Sequence, residues 1–160
     1  MAGNMRINWK RLILALVVSL GAGVISWLLT GNSMEMYANI KKPPLSPPGQ
    51  VFPIVWTILF VLMGVASYIV CETRDDDRME ALILYGVQLF VNVGWSVIFF
   101  DFGAFWLAFF WLMLLWGLII FTVWRFFHVN KVAAWMMVPY LLWVTFAAYL
   151  NLAVAIINVK

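Results

Sequence analysis

The sequence predicts an all-α integral membrane protein, a five-transmembrane-helix bundle with a Pro-rich first loop. Two compositional observations and one pattern carry that expectation. Hydrophobic residues make up 66% of the 160 and charged residues 11%, with a mean hydropathy of +0.98. Soluble domains run at about 45–50% apolar and about 25% charged, and a soluble chain of this size could not bury so much apolar surface. The pattern is the recurrence of long uncharged runs, with the ten basic and seven acidic residues gathered near their ends. The length implies one domain, 1–160.

Each span follows from a run and its terminators. The first covers about 12–29; these 18 positions reach roughly 27 Å, close to a bilayer core of about 30 Å. Arg6, Lys10 and Arg11 before it resemble a signal-peptide n-region, but the apolar run continues past Gly21-Ala22-Gly23, so it is read as a retained span. Residues 30–50 hold four of the six prolines and are expected to form a stiff, extended loop rather than a helix. Pro53 opens the second span, 51–71, where its missing N–H costs nothing. A charged turn, Glu72 to Arg78, leads to the third span, 81–100. Asp101-Phe102-Gly103 reads as a tight hairpin into the fourth, 104–124, which Arg125 to Lys131 close. The last runs over 132–159, and Pro139 is expected to bend it or mark its true start.

With five spans, the amino tail and the turns at 72–80 and 125–131 share one side. They carry Arg6, Lys10, Arg11, Arg74, Arg78, Arg125 and Lys131, against Lys41, Lys42 and Lys160 on the other. The positive-inside rule puts the amino terminus in the cytoplasm.

Several function classes are excluded or disfavoured. No span interior holds Asp, Glu, Lys, Arg or His, so proton relays, ion-coupled antiporters and voltage sensors lack their working groups. There is no Walker loop, no dinucleotide fingerprint and no calcium loop around Asp75-Asp76-Asp77. One cysteine, Cys71, and one histidine, His128, offer no metal site, and the placement of the basic residues speaks of orientation rather than nucleic acid.

Polar, uncharged residues inside the spans are the informative ones, because each is costly in hydrocarbon unless a neighbour satisfies it. Tyr85, Gln88, Asn92, Ser96 and Phe99, with Trp95 beside them, lie on one face of the third span. Tyr140, Trp143, Ala147, Leu150, Asn151, Val154 and Asn158 do so on the last. Trp56 and Thr57 open the second. Two readings stay open: amides and small residues that glue helices together, or a shared aromatic cavity for a flat hydrophobic ligand. Of the ten tryptophans, Trp9, Trp27, Trp124 and Trp135 fit an interfacial belt, and Trp106, Trp111 and Trp116 fit lipid or packing contact. Trp56, Trp95 and Trp143 remain as functional candidates.

Three blocks in order carry a family resemblance. They are Tyr37-Ala38-Asn39-Ile40-Lys41-Lys42-Pro43 through Pro53-Ile54-Val55-Trp56-Thr57; Gln88-Leu89 with Asn92, Trp95-Ser96 and Phe99-Phe100; and Pro139-Tyr140-Leu141 with Trp143, Phe146-Ala147 and Leu150-Asn151. Together they resemble the TspO, or translocator protein (peripheral-type benzodiazepine receptor, tryptophan-rich sensory protein), family along essentially the whole chain. The resemblance implies a homodimeric five-helix bundle whose first loop lids a pocket for porphyrins such as protoporphyrin IX. Related flat hydrophobic ligands, isoquinoline and benzodiazepine drugs and, in animal members, sterols belong to the same implication. It assigns no cofactor. Tyr37, Trp56, Asn92, Trp95, Trp143, Ala147 and Leu150 match its pocket positions.

Two departures bear on the alternative, light- and oxygen-dependent porphyrin degradation using pocket tryptophans, for which Trp56 and Trp143 are the catalytic candidates. Met36 and Leu45 stand where the family often has tryptophan. A third reading is a purely structural membrane partner. No basic residue follows Tyr149 until Lys160, so the terminal cholesterol motif of animal members is absent. A prokaryotic cell membrane is therefore expected; the alternative is the mitochondrial outer membrane.

Overall fold

The computed structural model describes residues 6–158. Five helices are long and apolar enough to cross a membrane: α1 (Trp9–Leu29), α3 (Val51–Glu72), α4 (Arg78–Ser96, continuing as a wider turn over Val97–Asp101), α5 (Phe105–Val129) and α6 (Lys131–Ile157). A short helix, α2 (Ser33–Asn39), lies between α1 and α3.

The loop expected over 30–50 is therefore part helix, and the reason is local. The four prolines all fall after Asn39, while Ser33 to Asn39 contain none and place Glu35 in the first turn. Ile40 then turns extended and the proline run follows. The other spans keep their places with shifted ends. Trp9 and Arg78 start α1 and α4 earlier than expected, with the Asn8 side chain accepting from the Arg11 N–H at 3.3 Å. α5 runs through Arg125 to Val129, because that guanidinium pairs with Glu80 in the first turn of α4. Pro139 lies inside an unbroken α6, so it does not mark that helix's start. Val159 and Lys160, included in the last span and in the basic-residue comparison, lie outside the described residues.

Turn chemistry sets both ends of the bundle. Asn130 caps α6 by accepting from Val132 and Ala133 at 3.0 and 3.3 Å, and its Nδ2 donates to Thr73 Oγ1 at 3.3 Å. The same end holds the bond from the Asn8 N–H to the Tyr68 hydroxyl and the Arg11–Glu72 ion pair. At the α4–α5 hairpin, Phe102 N–H reaches the Val97 carbonyl five residues back, and Gly103 takes φ +59°, a conformation glycine adopts without cost.

The core is the facing surface of α3, α4, α5 and α6, where Met63, Leu112, Leu115, Phe126, Tyr140 and Val144 are fully buried. α1 is peripheral: its one buried residue is Ser19, whose hydroxyl donates to the Phe60 carbonyl of α3. Between apolar helices in lipid there is little hydrophobic drive, so close backbone approach and hydrogen bonds hold them. Gly64 provides the approach, since a Cβ there would stand 3.2 Å from Leu16 Cα and 3.3 Å from the Ala15 carbonyl oxygen of α1.

That contact has a measurable consequence. Gly64→Val is expected to lower the thermal midpoint of the detergent-solubilised protein, at a cost of about 1–3 kcal/mol for overpacking. Gly117→Ala, whose Cβ meets nothing within 4 Å, is expected to be neutral or slightly stabilising. Equal midpoints for the two variants would remove the α1–α3 contact as a constraint.

Candidate functional site

α4 and α6 face each other across the bundle, and long polar side chains bridge them. Asn92 Nδ2 donates to the Tyr140 hydroxyl at 2.6 Å, and that hydroxyl donates to Gln88 Oε1 at 2.8 Å. About one turn further along α4 and three turns further along α6, Trp95 Nε1 donates to Asn151 Oδ1 at 3.0 Å, and Asn151 Nδ2 donates to the Phe105 carbonyl at 2.9 Å. Gln88, Asn92, Tyr140 and Asn151 are all buried. The polar faces found in the sequence are thus joined to one another, and the helix-gluing reading describes most of their donors.

A cavity of about 500 Å³ opens beside this junction, between α1, α3, α4 and the α2 segment. Its aromatic walls are Phe52, Trp56 and Phe60 of α3, Trp95 of α4 and Phe100 of the wider turn, with Tyr37 of α2 closing over them. Trp56 is the hub, with ring centroids 5.6 Å from Phe60, 6.5 Å from Trp95 and 6.1 Å from Tyr140. Asn92 also lines the space, and among the described residues no acidic or basic side chain does.

The lid is clasped to α6. Lys41 N–H donates to Asn158 Oδ1 at 3.1 Å while Asn158 Nδ2 donates to the Lys41 carbonyl at 2.9 Å. The Tyr149 hydroxyl donates to the Pro44 carbonyl, and the Tyr37 hydroxyl to the Pro47 carbonyl at 2.7 Å. Burial holds the Tyr37 phenol above its usual range. The Lys42 ammonium stands 5.1 Å from the Tyr37 ring centre, at the lid's outer edge.

The seven sequence-derived residues divide. Tyr37, Trp56, Asn92 and Trp95 line the cavity. Trp143, Ala147 and Leu150 of α6 do not. Trp143 packs edge-on against the wall residue Phe52, ring centroids 5.8 Å apart, while Ala147 and Leu150 are buried in the core. Of the two positions where tryptophan is common, Met36 packs against the core and Leu45 is 81% exposed with φ +67° at the loop tip, so neither is a cavity wall.

Sequence reasoning missed the α1 wall: Gly23, Ser26, Trp27 and Thr30. Trp27, assigned to the interfacial belt, is both exposed and a wall. The missed signal is a stripe of small and hydroxyl residues at helical spacing in an otherwise bulky span. Gly23 matters sterically, because a Cβ there would stand 2.8 Å from the Phe60 ring.

Five apolar spans around an aromatic cavity under a clasped loop define an integral, multi-pass membrane protein. The TspO/MBR family model matches residues 13–157. The chain is 39% identical over 124 residues to the tryptophan-rich protein TspO of Chlorobaculum tepidum, covering 76% of this chain and 78% of that protein. It is 33% identical over 147 residues to the tryptophan-rich sensory protein of Cereibacter sphaeroides, covering 92% and 90%. It is 34% identical over 142 residues to the human translocator protein, covering 87% and 84%. The chain belongs to the TspO/MBR family, and that membership supports a membrane receptor-like role. The bacterial homologues support a prokaryotic membrane.

The junction itself is testable. Tyr140→Phe removes the shared hydroxyl and leaves Asn92 and Gln88 facing each other without it, an expected loss of about 1–2 kcal/mol in detergent unfolding. A variant as stable as the parent would show that the hydroxyl does not hold α6 to α4.

Proposed function

We propose that the chain is a receptor- or carrier-like membrane protein that holds porphyrins such as protoporphyrin IX, and related flat hydrophobic molecules, in the cavity beneath α2. The observation that carries this reading is the cavity: about 500 Å³, inside the range of about 300–1,000 Å³ for small-molecule sites, with aromatic faces on its walls. A macrocycle's π-face stacks on the Trp56 and Trp95 indoles and on Phe60. Acidic substituents at the macrocycle rim pair with Lys42, which lies against Tyr37 at the lid, or with Lys41 beside it. Isoquinoline and benzodiazepine drugs and sterols share the flat apolar shape. The lack of acidic or basic side chains in the walls favours binding over ion-coupled transport.

One observation favours a second reading, light- and oxygen-dependent porphyrin degradation. Trp56, one of the two catalytic candidates, is itself a wall and neighbours the Trp95 indole at 6.5 Å. The other, Trp143, packs edge-on against the wall residue Phe52.

Titration of reconstituted protein with protoporphyrin IX in the dark, followed by the porphyrin absorbance, separates these readings. Trp56→Ala is expected to weaken saturable binding about tenfold, through lost stacking and burial. Trp143→Phe is expected to weaken it less. Binding that does not saturate, or ignores Trp56→Ala, would sink the receptor reading. Illumination of the same samples then discriminates: stable spectra fit a receptor or carrier, while loss of porphyrin absorbance that needs native protein and slows in Trp56→Phe would favour the enzyme.

The homodimer implied by the family resemblance belongs to the same proposal, and the face of α4 where Ile83, Val87 and Phe90 are exposed around the open Gly86 offers a place to test it. In a Cys71→Ser background, Gly86→Cys is expected to form a disulfide-linked dimer in membranes. A Gly86→Cys protein that stays monomeric under oxidation would count against this face.

A further inference from the structure

Hydroxyls in and at the ends of these helices are mostly spent on the helix itself. All five threonines, Thr30, Thr57, Thr73, Thr122 and Thr145, donate to the carbonyl four residues back, which commits their hydrogens. Ser96 differs. It is a half-buried wall of the cavity, at the last position of α4 before the helix widens over Val97–Asp101, and its hydroxyl bonds to no described residue. Among the described residues, the polar side-chain atoms that are both unpartnered and closed off are Ser26 Oγ, Tyr85 Oη, Arg125 Nε and Trp143 Nε1. Ser96 Oγ is not one of them, so it keeps open surface.

One turn back on the same face stands Asn92, also a wall. A chain of bonds sets the direction of its amide. Gln88 Nε2 donates to the Met63 sulfur at 3.8 Å, so Gln88 Oε1 faces the Tyr140 hydroxyl and takes its one hydrogen at 2.8 Å. That hydroxyl is left to accept, and Asn92 Nδ2 supplies the hydrogen at 2.6 Å. Asn92 Oδ1 therefore lies on the side of the amide away from Tyr140. It accepts from no described residue and, like Ser96 Oγ, is not closed off.

The geometry points to Ser96 and Asn92 as a specificity-determining pair. A hydroxyl that donates and a carbonyl that accepts stand one helical turn apart, about 5–6 Å between Cβ atoms, on a wall that is otherwise apolar. The matching ligand edge carries an acceptor oxygen beside an N–H donor, which is the edge of a lactam, while the ligand's flat face lies on Trp56. The inference rests on the ligand-binding reading above and adds a chemical class to it. A planar hydrocarbon would cover the Asn92 carbonyl and the Ser96 hydroxyl and leave both without partners, a cost that a lactam does not incur. The site therefore selects planar lactams over hydrocarbons of similar area.

Three tricyclic probes test this on the reconstituted protein, each affinity corrected for uptake by protein-free vesicles. They are phenanthridinone, a planar lactam; N-methylphenanthridinone, which lacks the N–H; and phenanthrene, which has neither polar group. Ser96→Ala is expected to weaken phenanthridinone about fivefold, the loss of one neutral hydrogen bond, and to change phenanthrene less than about twofold. In the parent, the N-methyl compound is expected to bind about fivefold more weakly than phenanthridinone, because the hydrogen taken by Asn92 Oδ1 is gone. The thermal midpoint of ligand-free Ser96→Ala is expected to match the parent's. A fall in that midpoint would make Ser96 a packing residue and overturn the inference. So would equal losses for phenanthridinone and phenanthrene, an N-methyl compound that binds the parent as tightly as the lactam, or a parent that binds protoporphyrin IX and none of the three probes. In each of those cases, saturable binding of protoporphyrin IX by the parent leaves the ligand-binding reading standing. A parent that saturably binds neither protoporphyrin IX nor any probe refutes that reading and this inference with it.

Discussion

The Tyr140 hydroxyl sets how α6 meets α4. It accepts from Asn92 and donates to Gln88, so one oxygen joins α6 to two positions a helical turn apart on α4. In water, helices with such apolar surfaces would be driven together by burial; in lipid that drive is nearly absent. Specific donors and acceptors must then decide which faces meet. The Tyr140 junction and the Trp95–Asn151–Phe105 chain do this about three turns apart on α6, fixing the rotation of that helix about its axis. Once α6 is set, Trp56 is trapped between Tyr140 and Trp95, and its indole becomes part of the wall.

The cavity is the complement of that arrangement. α3, α4, α5 and α6 fill the centre, and α1 packs outside them through Ser19 and Gly64. The space that remains lies where α1, slender at Gly23, Ser26 and Thr30, faces the aromatic side chains of α3 and α4. Because the amides nearest it are turned toward α6, the space is mostly apolar although polar residues surround it. The residues that make the bundle specific therefore also make the site hydrophobic.

The spans were legible because charges are forbidden within them and collect at their ends; the boundaries moved only where a cap or an ion pair extended a helix, as Glu80 does for Arg125. The polar faces were legible from spacing, since Gln88, Asn92, Tyr140 and Asn151 have no other reason to be in hydrocarbon. Spacing could not say whether they face one another or an open space, because one helical face serves either purpose. α2 was hidden by its neighbours: four prolines close behind it make the whole stretch read as extended. The resemblance drew attention to Trp143, Ala147 and Leu150, and a one-dimensional match does not register that Trp143 packs against the wall residue Phe52 or that the other two are buried in the core. The α1 wall escaped notice because its residues are small, and it is their smallness that leaves room.

The clasp between the Pro-rich loop and α6 bears on time as well as shape. Its fastenings are the paired Lys41–Asn158 bonds and the Tyr149–Pro44 bond, and they join parts of the chain more than a hundred residues apart in sequence. Prolines stiffen the segment between them, so it has few ways to loosen one fastening while keeping the others. Opening is then closer to a single concerted event than to gradual fraying. On the ligand-binding reading proposed above, a molecule beneath the loop would be held for as long as that event takes to occur, and its dwell time would depend on Asn158 and Tyr149, which are not walls of the cavity.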